Sequence, residues 1–390
     1  NKLYKEIPFK DEVGLFTREI DHASECILNN KLESQYIAHL DTQSNMLWLE
    51  KWRQQLDIIC PLSTFEISPV PASKFYSIQK AKLQNTQIEG IDKTASRLAL
   101  GCDNQTSDLH AFTMFDHFFG AGGRIFDTAY IYNNGKGDKY LGDWINSRNI
   151  EKEVIVLGKG AHTPDCEPKF IRPQIEESLS RLNINKIDIF CLHRDNSEVP
   201  VAEFMDALNE VRAEGLIGSI GASNWELDRF SEARDYALKN NMEPFSVLSN
   251  NFSLAEMVDP VWPGCVGVKN KYLEYLLENK IMLFPWSSQA RGFFIEKKEI
   301  TSNEHFSNPS LEEEKRVWHS DKNLKRREAC FDIAKRRQVQ PIQVALAYVI
   351  QKSSLIFPLV GPRTIMEAES SIAATQLNLT EEEMKELVID

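Results

Sequence analysis

The sequence predicts an α/β chain organised as a (β/α)8 TIM barrel with a small N-terminal helical appendage. Three observations carry this. From residue 94 onward, short β-rich runs alternate eight times with longer amphipathic runs, the pattern of parallel strands joined by crossover helices. Eight such units in about 290 residues suit one closed barrel better than an open sheet. No GxGxxG follows the first strand, where Gly101 leads into CDNQTS, so an open dinucleotide-binding sheet is disfavoured.

Strands are expected at residues 97–101, 124–128, 154–159, 187–193, 217–223, 245–250, 281–287 and 356–360. Helices are expected at 109–119, 171–182, 201–214, 225–239, 272–279, 323–337, 341–351, 364–374 and 380–387. The last has a threonine at its N-cap and glutamates in its first turn, where the helix dipole favours anions. The aromatic run FDHFF (115–119) falls inside a helix and reads as core. Trp225 reads equally as packing or as pocket lining. The acidic and basic runs between strands seven and eight read as a solvated insertion or a lid over a ligand.

Composition bounds the functional classes. Of 390 residues, 42% are hydrophobic and 26% charged, as in ordinary globular proteins. No apolar run approaches ~18 residues, so no transmembrane helix or signal peptide is expected and no membrane partner. The net charge of −12 disfavours nucleic acid. The seven cysteines (26, 60, 102, 166, 191, 265 and 330) are widely spaced, without CxxC, and fit free thiols in a reducing cytoplasm. No histidine spacing suits a metal, and His22, His39, His110, His117, His162, His305 and His319 read as surface or helix residues.

A barrel gathers its chemistry at the carboxyl ends of its strands. Asp127 ends the second strand, Lys159 the third (VIVLGK), His193 the fourth (IDIFCLH), and Ser223 and Asn224 the fifth (GASNW). Trp286 ends the seventh (FPWSSQARG), and Arg363 follows the eighth (PLVGPRT). Tyr132 lies just past Asp127 in FDTAYIYNNGKGDKYLG. A phenol with a pKa of ~10 is a poor acid at neutral pH. Lys159 is expected to lower that pKa, with Asp127 holding the lysine and His193 donating to a substrate carbonyl. A tyrosine so tuned protonates a carbonyl oxygen while hydride arrives at its carbon, and accepts the proton in reverse. Singly, each residue has a structural explanation; together at successive strand ends they point to a site.

These residues resemble the Asp–Tyr–Lys–His tetrad of the aldo-keto reductases. The likeness rests on FDTAxxY, the lysine after strand three, LH after strand four, GxSNW and GPRT, with successive spacings of 5, 27 and 34 residues from Asp127 through Tyr132 and Lys159 to His193. It spans about residues 85–390. It implies an NADP-dependent oxidoreductase interconverting an aldehyde, ketone or keto-sugar and an alcohol by direct hydride transfer, without a metal. It further implies that Ser223 and Asn224, with Ser249 or Asn250, hold the nicotinamide carboxamide, and that Trp286 stacks on the ring in place of the usual tyrosine. Ser287, Gln289 and Arg291 then cover the pyrophosphate, Arg363 lies near the adenosine 2′-phosphate, and Glu367, Ser370 and Ser371 lie on the adenine side. The arginine favours NADP(H), with NAD(H) the alternative. The sequence departs from the family in three places: YNNGKGDKY stands for YGxGxSE, residues 249–251 for the usual glutamine, and Ser370 and Ser371 for an EN pair. A second reading is a cofactor-binding interaction module with little turnover, as in the similar potassium-channel β subunits.

Residues 1–60 read as a separate piece, a helical hairpin with a strand-like tail. GLFTREIDHASECILNN has helical apolar spacing and ends in an asparagine pair, KLES connects, and residues 40–56 form a second amphipathic segment. This stretch resembles the C-terminal end of glucose–fructose oxidoreductase and inositol-dehydrogenase type proteins. That implies a packing or linking role, a sugar-like substrate, a place in carbohydrate metabolism, and an upstream dehydrogenase domain in a longer parent chain, which an Asn at position 1 also suggests. Residues 61–84 read as a linker, and residues 85–390 as the barrel. Between them, FYSI (75–78) and a weak strand pair around Gly90 are expected to plug the barrel bottom.

Overall fold

The computed structural model describes residues 17–29, 31, 41, 44–46, 48–49, 82–295 and 311–388. The chain divides into two compact units, Asn1–Ser63 and Thr64–Asp390. In the first, α1 (Thr17–Leu28) forms where the apolar spacing predicts it. Asp41, Ser44 to Met46, Trp48 and Leu49 are also helical. The rest of the second expected helix, the strand-like tail and residues 75–78 lie outside the described residues.

The second unit opens with an antiparallel hairpin, β1 (Asn85–Ile88) and β2 (Ile91–Ser96), turning at Gly90. Eight parallel strands follow: β3 (Ala99–Gly101), β4 (Ile125–Asp127), β5 (Ile155–Gly160), β6 (Ile187–Leu192), β7 (Ile217–Ala222), β8 (Val247–Leu248), β9 (Met282–Leu283) and β10 (Leu359–Val360). Their order is β10-β3-β4-β5-β6-β7-β8-β9. Leu283 bridges Ile356, Phe357 N donates to Leu283 O at 2.8 Å, and Leu359 N donates to Pro285 O at 3.0 Å. The segment entering β10 therefore joins the two sheet edges, and the barrel closes.

Two apolar layers follow from the period-two alternation of strand side chains. Inside the barrel, Ala99, Ile125, Ile155, Leu157, Ile189, Cys191, Val247, Phe284 and Phe357 form one cluster, which Ile88, Ile91 and Ala95 of the hairpin join. The hairpin thus plugs the amino end of the barrel. It is tied there by Lys93, whose Nζ donates to Val154 O at 2.7 Å and to Asp188 Oδ2 at 2.8 Å. Outside, residues such as Leu100, Phe126, Val156 and Phe190 face the helices. The FDHFF run is core: Phe115 and Phe118 meet the Phe126 ring edge-on at 5.5 Å, and Trp144 packs 4.9 Å from Phe126.

The helices are α2 (Asp108–Gly120), α3 (Lys136–Arg148), α4 (Ile171–Leu182), α5 (Val201–Ala213), α6 (Leu227–Lys239), α7 (Asn270–Glu278), α8 (Leu311–Trp318), α9 (Asp321–Arg337), α10 (Pro341–Gln351), α11 (Ile365–Ala374) and α12 (Glu381–Leu387). Ser107, Ser320, Thr364 and Thr380 cap α2, α9, α11 and α12 by accepting from backbone N–H groups. Helix α6 starts two residues later than its apolar pattern suggests. Asn224 adopts φ +60°, and Trp225 O accepts from Asn250 Nδ2 at 2.8 Å and Tyr272 Oη at 3.1 Å, so that carbonyl serves the loops instead. Trp225 is fully buried against Phe204 and Phe245, which resolves its role as packing.

In the connection between β9 and β10 the charged run 312–316 is exposed or half-buried, as a solvated run should be, and the run 296–299 lies outside the described residues. Helix α8 buries Val317 and Trp318. Arg316 binds Asp259 and donates to the carbonyls of Pro260 at 2.7 Å and Val261 at 3.2 Å. The helix therefore buttresses the long loop that follows β8.

Candidate active site

The alternation that sends Ile125, Leu157 and Cys191 into the barrel sends Asp127, Lys159 and His193 inward two residues later. All three are buried. Lys159 Nζ donates to Asp127 Oδ1 in a short contact and to Thr128 O at 3.2 Å. Burial pushes the Asp127 carboxyl up to about 6, against the opposing pull of Lys159. Removing either partner would leave a buried charge uncompensated, at a cost of about 3–5 kcal/mol.

Tyr132 is aimed by an unusual turn. Tyr132–Gly135 forms a single 3-10 turn in which Asn133 and Asn134 adopt φ of 51° and 55°, and Gly135 follows at +84° before α3 begins. Asparagine tolerates this left-handed region better than most residues, and glycine does so freely. The Asn133 side chain reaches the carbonyls of Asp103 and Gln105, both at 3.3 Å. A Cβ on Gly137 would lie 3.0 Å from Tyr132 Cβ and 3.1 Å from Cys102 O. YNNGKG is thus a positioning turn rather than a phosphate loop.

The Lys159 ammonium lies 5.0 Å from the centroid of the Tyr132 ring, and the His193 ring meets that ring edge-on at 5.7 Å. The expected lowering of the Tyr132 pKa does not emerge. Burial, with Asp127, Asp103 and Cys102, pushes the phenol well above its ordinary value, against an opposing pull from Arg194. His193 is pushed well below the ordinary imidazole range by burial, Lys159, His162 and Arg194, so its ring is neutral. Its Nδ1 is buried and has no hydrogen-bond partner among the described residues.

Ser223, Asn224, Ser249 and Asn250 form one buried network past β7 and β8. Ser223 Oγ donates to Ser249 O at 2.6 Å, Asn224 N donates to Asn250 Oδ1 at 2.5 Å, and Asn224 Nδ2 donates to Ser223 Oγ at 3.0 Å. The Ser249 hydroxyl and the Trp286 indole nitrogen are buried without partners among the described residues. Beyond Trp286 the backbone turns through positive φ at Ser287, Ala290 and Arg291, and Gln289 O closes the turn by accepting from Gly292 N at 3.2 Å. Arg291 stacks 5.0 Å from the Trp262 ring centroid and pairs with Glu313 at 3.5 Å.

Arg363 precedes the N-terminus of α11, where its N–H donates to Glu367 Oε2 at 2.7 Å. Ser370 and Ser371 depart from an adenine-facing arrangement. The Ser370 hydroxyl donates to Gln340 Oε1 at 2.6 Å, and Ser371 lies on the buried face of α11 with Ala368 and Ile372.

Four residues at the site escape sequence reasoning. Asp103 is an exposed residue, with its carboxyl oxygen 3.2 Å from where a Gly101 Cβ would be. Desolvation of the carboxyl by the surrounding protein pushes its pKa up, while Lys159, Arg291 and Arg363 pull it down. Its charge between two glycine-bearing segments, in GCDN, was the available signal. His162 is not a plain surface residue, since its ring stacks edge-on against His193 at 4.8 Å. Arg194 follows His193 and is buried. Trp262 packs 6.2 Å from Trp286. His110 and His117 are helix residues, on the buried face of α2. Among the described residues no three His, Cys, Asp or Glu side chains cluster to hold a metal, and no helix is long and apolar enough to cross a membrane.

Comparison with known proteins agrees on one family. Residues 96–389 match the model of the Aldo/keto reductase family. Norsolorinic acid reductase stcV of Emericella nidulans is 27% identical over 297 residues, covering 71% of this chain and 70% of that protein. Aryl-alcohol dehydrogenase GME11368 of Pestalotiopsis microspora is 26% identical over 290 residues, covering 71% of each. The crystal structure of the thermostable aldo-keto reductase Tm1743 superposes with a TM-score of 0.58 at 20% identity, covering 78% of this chain and 98% of that one, a likeness of fold.

Proposed function

The chain belongs to the aldo/keto reductase family, and from that premise we propose that it is an NADP(H)-dependent oxidoreductase interconverting a carbonyl compound and an alcohol. The observation that carries this is the stacking of Asp127, Lys159 and His193 on the inner barrel wall, with the Tyr132 ring between the lysine and the histidine. In reduction, the Tyr132 hydroxyl gives its proton to the carbonyl oxygen, and in oxidation its oxygen takes the proton back. The raised phenol pKa keeps that proton in place at neutral pH. Lys159, fixed by Asp127 and Thr128 O, stabilises charge as it develops on the phenol oxygen. Neutral His193 donates one N–H to the same carbonyl oxygen and orients it.

When bound, a nicotinamide dinucleotide supplies the hydride. The residues present fit such a group. The orphaned Ser249 hydroxyl, beside Ser223, Asn224 and Asn250, suits a carboxamide, and the Trp286 ring offers a face for stacking. Ser287, Gln289 and Arg291 turn at the barrel mouth, and Arg363 at the start of α11 combines a guanidinium with a helix N-terminus, which favours phosphate and hence NADP(H). Glu367 completes the adenine side in this reading; Ser371 contributes packing.

For the substrate, one relative is named an aryl-alcohol dehydrogenase, which favours an aryl carbonyl over a keto-sugar, whose support rests on residues 1–60. The test is NADPH consumption across a panel of aryl aldehydes, aryl ketones and keto-sugars. Turnover concentrated on aryl aldehydes is expected. Faster turnover of keto-sugars would reverse the substrate assignment, and no turnover with NADPH binding retained would favour the interaction-module reading.

A further inference from the structure

Arg194, immediately after His193, is only 9% exposed. A guanidinium has five donors and no acceptor, so burial demands oxygen partners. Its contacts here are thin: Nη1 donates to His193 O at 3.5 Å, the long limit of hydrogen bonding, and Nη2 to Cys265 Sγ, a weak acceptor, at 3.7 Å. Neighbouring carboxylates are engaged elsewhere. Asp195 holds Arg229 through both oxygens at 3.0 and 3.1 Å, Asp127 holds Lys159, and Glu313 pairs with Arg291. Among the described residues, no Asp or Glu pairs with Arg194.

The side chain runs beneath the loop after β8, where its Cδ lies 4.0 Å from the position a Gly264 Cβ would take. It sits beside the proposed chemistry, following His193 in sequence with Nη1 3.5 Å from the His193 carbonyl oxygen, and its charge acts on His193, His162 and Tyr132. His162 and Tyr132 in turn stack on the two sides of the His193 ring environment, at 4.8 and 5.7 Å.

We propose that Arg194 anchors a carboxylate on the substrate, so that the carbonyl reduced at Tyr132 belongs to a formyl- or oxo-acid. This rests on the reading of Tyr132 and His193 as the carbonyl site. A carboxylate matches the guanidinium fork in shape and charge. It takes no part in bond making: hydride adds to the carbonyl carbon, the Tyr132 proton adds to the oxygen, and Arg194 holds the acid group in place.

Two matched probes test this, para-carboxybenzaldehyde and its methyl ester, which share the ring and the aldehyde. The wild-type protein should prefer the acid in kcat/KM, chiefly through KM. Arg194→Met should lower the acid-to-ester ratio by about tenfold or more, and Arg194→Lys by less. In parallel, calorimetric titration with benzoate and benzamide, which needs no turnover, should detect a benzoate preference that Arg194→Met removes. An acid-to-ester ratio unchanged in both variants, or equal binding of benzoate and benzamide to the wild type, would overturn the proposal. Should Arg194→Met fail to fold, the Lys variant and the two wild-type preferences decide. Absence of all turnover together with an Arg194-dependent benzoate preference would overturn the reductase reading and leave the anion site standing.

Discussion

At the scale of single residues, the site is a set of charges whose protonation follows from burial. Asp127 has its pKa raised from 3.8 to about 6. A carboxyl raised on folding contributes stability that is fully present below its unfolded value and is lost as pH rises through the folded value, here between about pH 4 and 6. The carboxylate that holds Lys159 exists only above that window. Reductive kcat/KM should therefore fall as pH drops through about 6, and Asp127→Asn should abolish that limb along with much of the rate. Tyr132 lies well above its ordinary value, so reduction should show no alkaline limb between about pH 7 and 9. A pH profile of kcat/KM checks both; a decline centred near pH 8 would mean the phenol is not held protonated. The inward residues of the strand ends were legible from sequence because they interrupt apolar runs with period two, as Lys159 does in VIVLGK. His162 was not, because its ring reaches His193 only where the loop after β5 folds back; Arg194 adjoins His193 in sequence, but its burial beneath the loop after β8 is a tertiary feature.

At the scale of elements, the turn after β4 does for Tyr132 what a rigid strand does for Lys159. Gly137 matters because the next Cβ would lie 3.0 Å from Tyr132 Cβ. Gly137→Ala must therefore shift the tyrosine or the turn by a few tenths of an ångström, in a site where a displacement of ~1 Å costs catalysis up to about 10²-fold. The expected result is a loss of roughly tenfold or more in kcat with a small change in melting temperature, measured by steady-state kinetics and thermal denaturation. Helices α4 and α10 were legible to the residue, α4 ending at Asn183 in the left-handed region and α10 starting with Pro341. Strands β8 and β9 were overestimated. After two ladder residues their chains leave the regular register, and Asn250, Asn251 and Trp286 bond through side chains and loops instead. After β9 the apolar pattern continues through Phe284 to Trp286 and hides the strand end, whereas after β8 the run turns polar at Ser249 to Asn251.

At the scale of the whole molecule, the barrel is closed twice: around its circumference through the segment entering β10, and at its amino end by the β1–β2 hairpin. Asp188 ties the hairpin to the barrel wall, accepting from Lys93 Nζ at 2.8 Å and from Val156 N at 2.9 Å. Asp188→Ala would leave the Val156 N–H without its acceptor and the Lys93 ammonium without its counter-ion near the barrel floor. It should cost about 2–4 kcal/mol in urea denaturation, with the kinetics of the folded fraction little changed. Barrel closure was legible because eight strand–helix units and the absence of a GxGxxG left few alternatives. The hairpin plug was legible from the Gly90 turn, though its anchoring by Lys93 spans a tertiary distance that no local pattern encodes.

These scales meet at one hydroxyl. The most direct measurement compares the wild type with Tyr132→Phe for NADPH consumption with an aryl aldehyde, together with the NADPH dissociation constant of each. Loss of about 10²–10⁴-fold in kcat with unchanged NADPH affinity is the predicted result. Turnover by Tyr132→Phe within tenfold of the wild type would contradict the assignment of Tyr132 as the proton donor.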